Sequence, residues 1–284
     1  IQKLLSPRLK VVHGVRSSRF DFGLFPAKTV WAYRVSCFAT PIANLVIFNS
    51  HAGKKGYRAI SRFARRSHVI QNGFDTKTFH PNVENKARAR DKYDVAVSTP
   101  LLAMIGRVDP LKGHSVLLDA LRILEDDEFQ FFCVIQGAKT DDELVEMRTT
   151  VDRLGLAQKV IVERFSPNPQ ELLQSIDALI LPSLSEGFPN IVVEALLCGT
   201  QVAATDVGDV REILGPDVPL ARPGDAESMS IVLKQILRTS PNAEVTKLAL
   251  QRYSVASMTN ETETIIRHLL NNHSEAKLPR ELKV

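Results

Sequence analysis

Cysteine is scarce in this chain of 284 residues. Cys37, Cys133 and Cys198 lie far apart, are odd in number and lack metal-ligand spacing. A disulfide framework and a zinc ribbon are therefore excluded, and reduced core residues of a cytoplasmic protein are expected. Long apolar runs are missing too: the most apolar region, residues 30–48, is broken by Arg34, Pro41 and Asn44 and does not read as a membrane span. Aromatic residues make up only 6% of the chain and do not interleave with the basic ones, which argues against nucleic acid as a partner. No Gly-x-Gly-x-x-Gly occurs, so a nicotinamide-dependent oxidoreductase is disfavoured. No Asp-x-Asp occurs either, leaving no motif for a metal-bridged diphosphate.

What is present fits a globular protein of one or two domains, with 44% apolar residues and ordinary charge content. The net charge of +4 hides a split: residues 1–96 hold 18 Lys/Arg against 5 Asp/Glu, and residues 97–284 hold 18 against 27. Two parts with different partners follow. The basic part could face anionic lipid or a phosphorylated acceptor, or be a solvated surface with no dedicated ligand.

In the first part the pattern predicts strand Leu9–His13, helix Pro26–Ala39, strand Leu45–Asn49, a basic helix Ala52–Arg65 and strand His68–Gln71, followed by the turn Asn72-Gly73. Texture and charge change between Phe79 and Thr99, which sets divisions at 1–96, 97–250 and 251–284. Beyond that point strands and helices alternate: strand Leu101–Ile105, helix Lys112–Leu124, strand Gln130–Gln136, helix Asp141–Leu154, strand Val160–Val162 and helix Pro169–Ser175. Strand Ala178–Leu181, a helix from Asn190 to Leu197 closed by Gly199, and strand Gln201–Ala204 complete the series. Helices Ala226–Arg238, Ala243–Tyr253 and Val255–Asn271 end the pattern. The fold class is α/β with mostly parallel, doubly wound sheets. Ligands of such sheets bind beyond the carboxyl ends of the strands.

Two loops qualify. After Leu101–Ile105 come Gly106, Arg107, Lys112 and Gly113, a tight exit followed by a planar fork and a second cation that suit a phosphate. After Ala178–Leu181 come Glu186, Gly187 and the helix that begins at Asn190, whose free amides and positive dipole end also suit a phosphate. Glu194 is one turn past Asn190 on the same face. Two carboxylates that accept from hydroxyls, flanking a diphosphate, describe a nucleotide-sugar pocket.

Gly106-Arg107…Lys112-Gly113, Pro182-Ser183-x2-Glu186-Gly187-Phe188-Pro189-Asn190-x3-Glu194-Ala195 and Val69-Ile70-x-Asn72-Gly73-x-Asp75-x3-Phe79-x-Pro81 together resemble the family-4 retaining glycosyltransferases, with their GT-B fold of two Rossmann-like domains. The resemblance covers roughly residues 45–270. It implies that Arg107 and Lys112 bind the donor diphosphate, Glu186 the hydroxyls of the transferred sugar and Glu194 the ribose hydroxyls. It also brings the backbone of Gly187, Phe188, Pro189, Asn190 and Ile191 to the donor, and the base to Arg164 and Phe165. His13 matches a position where some members carry a His near the sugar, although a His at a strand end also serves structural roles; Arg16 and Arg19 could line the acceptor side.

The resemblance further implies a metal-independent reaction that needs no cofactor. The donor would be a nucleotide-diphosphate sugar, a UDP-sugar being the commonest, and the acceptor a glycan or a lipid-linked glycan. On this reading 1–96 is a partial acceptor-side domain lacking its opening strand and Gly-rich loop, 97–250 is the donor domain, and the protein is cytoplasmic, with peripheral contact to an anionic membrane. A non-catalytic nucleotide-sugar-binding remnant or partner subunit, and a sugar-nucleotide epimerase, stand as alternatives.

Overall fold

The computed structural model describes residues 9–16, 28, 31, 35, 43–60 and 67–271. Cys37, Arg19 and all but three residues of the expected helix over 26–39 lie outside them. The chain forms two compact units: Phe74–Ser254 is one, and the segments on either side of it make the other.

The flanking unit carries a parallel sheet in the order β1 (Val12–Val15), β2 (Leu45–Phe48), β3 (Ser67–Val69). Helix α1 (His51–Ile60) follows β2, and the Ser50 hydroxyl accepts from Gly53 N at 3.0 Å at its start. Phe48 and Tyr57, both fully buried, pack edge to face at 5.4 Å. The expected first strand is displaced. Leu9 and Val12 are exposed, whereas Val15 is buried and pairs with Phe48, so register with β2 selects residues 12–15. His13 is consequently the second residue of the strand, not its last, and Arg16 follows the strand end. A second apolar patch joins Leu45 and Ile70 to Ile265 and Leu269 of the final helix, Val255–Asn271, so that helix belongs with this unit.

The other unit is a five-stranded, fully parallel sheet in the order β6-β5-β4-β7-β8, with β4 (Leu101–Ile105), β5 (Phe132–Ala138), β6 (Val160–Arg164), β7 (Ala178–Leu181) and β8 (Gln201–Ala204). Every residue of β7 is buried, as is all of β4 but its last residue, because helices cover both faces. On one face α2 (Val83–Tyr93) packs with α5 (Gln170–Leu173), α6 (Asn190–Leu197), α7 (Val210–Leu214) and α9 (Ala243–Arg252). On the other are α3 (His114–Asp126), α4 (Asp141–Arg153) and α8 (Ala226–Leu237). Side-chain caps fix several of these starts. Asn82 accepts from Asn85 N, Thr140 from Glu143 N and Asp225 from Ser228 N.

The division at Gly73/Phe74 falls ahead of the expected 96/97 boundary. Helix α2 explains the difference. Its basic residues neutralise acids of the same sheet, with Lys86 and Arg90 paired to Asp177 at 2.6 and 2.7 Å and Lys92 to Glu163 at 2.7 Å. They counted with the basic amino-terminal part by sequence and fold with the acidic part.

Candidate functional site

The sheet order reverses between β4 and β7, so their carboxyl ends border the crevice where such sheets hold ligands. Both loops singled out in the sequence leave the sheet here. Asp109 accepts from Leu111 N at 2.9 Å and starts a single 3-10 turn, Pro110–Lys112, that carries Lys112. Gly113 then takes φ 72°, and a Cβ on it would lie 2.0 Å from the Pro182 carbonyl oxygen. Only glycine permits so close an approach of the two loops. Leu184 N donates to Leu111 O at 2.8 Å and fastens them together.

That contact brings the predicted residues together. Lys112 Nζ lies 2.7 Å from Glu186 Oε1, and the Ser183 hydroxyl donates to the same oxygen at 2.7 Å. Ser183 is fully buried, and Thr205 Oγ1 donates to its carbonyl at 2.6 Å. Arg107 remains 60% exposed, with the Asp109 carboxylate 3.9 Å away, outside hydrogen-bond range. Behind Glu186, Asp209 N donates to Gly187 O at 2.9 Å, and Gly208, at φ 57°, has no room for a Cβ against that carbonyl.

Phe188 turns the loop into the core. Its ring stacks on Phe74 at 6.3 Å and meets Tyr253 edge on at 5.6 Å, so what it leaves at the crevice is backbone. Helices α3 and α6 both begin at this crevice, and neither start is closed by a side-chain cap. Glu194, partly buried on α6, has no side-chain hydrogen bond or ion pair among the described residues. Burial raises its carboxyl from 4.5 to about 7. A desolvated acceptor one turn into a helix that starts at the crevice is suited to bind hydroxyl groups attached to a phosphorylated ligand.

Arg164 and Phe165 lie at the end of β6, farther along the same sheet edge. Arg164 is engaged with Asp141 at the start of α4, while the Phe165 ring is half-exposed with Lys139 Nζ 5.7 Å from its centre. His13 belongs to the other unit, and burial lowers its pKa. Sequence reasoning gave no role to Ser183, Thr205, Gly208 or His114. His114 opens α3 and is buried, which lowers its pKa, and its Nε2 has no partner among the described residues. The signal for Thr205 and Gly208 lay in their place just after β8, which becomes telling once β8 is known to neighbour β7.

Fold and site together define a doubly wound α/β domain of the kind found in GT-B glycosyltransferases. Residues 85–249 match the glycosyl transferases group 1 family, and the chain belongs to it. It is 33% identical over 162 residues to a D-inositol 3-phosphate glycosyltransferase of Xylanimonas cellulosilytica, an alignment that takes in 54% of this chain and 38% of that enzyme. It is 31% identical over 176 residues to an MMP alpha-(1->4)-mannosyltransferase of Mycolicibacterium hassiacum, covering 60% and 39%. The chain thus spans well under half the length of these two relatives. Among solved structures it resembles Anabaena HepE in complex with UDP-glucose, with a TM-score of 0.78 and 26% identity over 92% of this chain and 73% of that one.

Proposed function

We propose that this chain serves a retaining glycosyltransferase that moves a sugar from a UDP-sugar to a glycan or lipid-linked acceptor. The observation that carries the reading is the convergence at the β4/β7 crevice of Lys112, Ser183 and Glu186, with Arg107 in the same loop as Lys112 and an unbonded, desolvated Glu194 on α6. The UDP and UDP-glucose complexes of HepE support the donor class, and the sugar-transferring relatives support the reaction.

In this reading Arg107 and Lys112 hold the diphosphate, Glu186 the sugar hydroxyls and Glu194 the ribose hydroxyls. The backbone from Gly187 to Ile191 lines the donor, and the base lies toward Arg164 and Phe165. As the bond to the sugar lengthens, positive charge grows on the sugar ring and negative charge on the departing diphosphate. Arg107, Lys112 and the helix-start amides stabilise that leaving group, a task they perform without a divalent cation. His13 and Arg16 lie on the acceptor side, and the basic amino-terminal part meets an anionic membrane surface.

Arg107→Ala and Glu194→Ala are each expected to lower transfer from UDP-glucose at least about tenfold without unfolding the protein, and chelator is expected to leave the native rate unchanged. Unaltered turnover in either variant removes that residue's role. UDP binding without product from any glycan or lipid-linked acceptor identifies a binding subunit in place of an enzyme.

A further inference from the structure

Glu186 is met by two donors on one oxygen. Lys112 Nζ and Ser183 Oγ each lie 2.7 Å from Oε1, and no described residue bonds Oε2. The two donors differ in freedom. Lys112 reaches the carboxylate from the end of a four-carbon stem and is 26% exposed, so a few torsions release it. Ser183 has no exposed surface, and its hydroxyl is a single torsion from a fixed backbone. Thr205 holds its carbonyl at 2.6 Å, and the next residue, Leu184, is bonded to the Lys112 loop through Leu111 O at 2.8 Å.

A carboxylate has two lone-pair sites on each oxygen. A diphosphate entering beside Lys112 competes with Glu186 for the ammonium, which is a point charge able to serve either anion. Once Lys112 turns to the phosphate, Glu186 would rotate about its last torsion unless another group held one oxygen. Ser183 is that group.

We propose that Ser183 is a positioning residue that fixes which oxygen of Glu186 meets the transferred sugar. The inference rests on the donor reading above. Ser183 touches no substrate; it holds Oε1 from the protein side, so Oε2 is presented to the sugar hydroxyls in one orientation.

Titration calorimetry of the full chain with UDP and with UDP-glucose separates the part of the donor that Glu186 contacts from the part it does not. Ser183→Ala is expected to keep the UDP dissociation constant within about twofold and to raise that for UDP-glucose about tenfold. Ser183→Cys, close in volume and a weaker donor, should recover part of the loss. It also carries the comparison if the alanine variant does not fold. In a Glu186→Ala background, Ser183→Ala should change nothing further, because its effect passes through that carboxylate. Equal weakening of both ligands, no weakening of either, or a loss that persists without the Glu186 carboxylate overturns the positioning role. If the native chain binds neither UDP nor UDP-glucose, the donor reading itself fails, and the role of Ser183 falls with it.

Discussion

Glu194 shows how one side chain ties stability to binding. Burial lifts its carboxyl from 4.5 to about 7, so between those values the folded chain keeps a proton that the unfolded chain has released. Folding is therefore favoured by this group at low pH. That contribution declines as pH rises through the window and is flat above it. Glu194→Gln is expected to remove the slope and to raise stability at pH 8 by on the order of 1–3 kcal/mol, read from urea unfolding at pH 5 and pH 8. The same substitution should abolish a rise in UDP affinity between pH 6 and pH 8, because the ionised carboxylate is the better acceptor for ribose hydroxyls. A slope that survives in the glutamine variant would assign it to another group. That Arg107, Lys112, Glu186 and Glu194 lie around the β4/β7 crevice was legible in the sequence, because each sits at a fixed distance from a strand end or a helix start. Their partners were not. Thr205 acquires meaning only when β7 and β8 are neighbours, and strand order is not written in local periodicity; Ser183 lies only three residues before Glu186, but a serine in a loop gives no periodic signal of the bond it makes.

Among the elements, β4, β7 and β8 were readable residue for residue, since parallel strands covered on both faces leave uninterrupted apolar runs bounded by turn residues. The five-residue α7 escaped, being too short to show a helical period. The loop before α6 was read as a strip whose backbone approaches a ligand. Its aromatic side chain, Phe188, turns away from the loop and packs against Phe74 and Tyr253. Phe188→Ala is expected to cost about 3–5 kcal/mol and to weaken UDP-glucose binding by loosening Glu186, measured by denaturant unfolding and calorimetry on the same sample. A stability loss below about 1 kcal/mol would mean that the aromatic cluster is not the anchor of the loop.

At the scale of the molecule, charge and fold divide the chain at different places. The positive surplus of residues 1–96 includes the α2 residues balanced by Asp177 and Glu163, and most of the remaining basic residues of that stretch precede α2 in the sequence. Among the described residues no helix is long and apolar enough to cross a membrane. If the basic amino-terminal part meets an anionic surface as proposed, the chain is expected to bind vesicles containing phosphatidylserine, and about 0.5 M salt should reverse it. Co-sedimentation that is the same with neutral vesicles would remove the anionic-surface reading.

The passages into and out of the unit Phe74–Ser254 run next to each other. Phe74 N donates to Tyr253 O at 2.8 Å, and Phe74 bridges Ser254 in parallel. Topologically, the unit Phe74–Ser254 is a cassette that the chain enters and leaves at a single doorway. Two cuts one strand-spacing apart, about 5 Å, would lift it out whole, and a short linker would rejoin the remaining ends with little entropic cost. Exchanging this unit between such proteins would need both cuts made at that doorway.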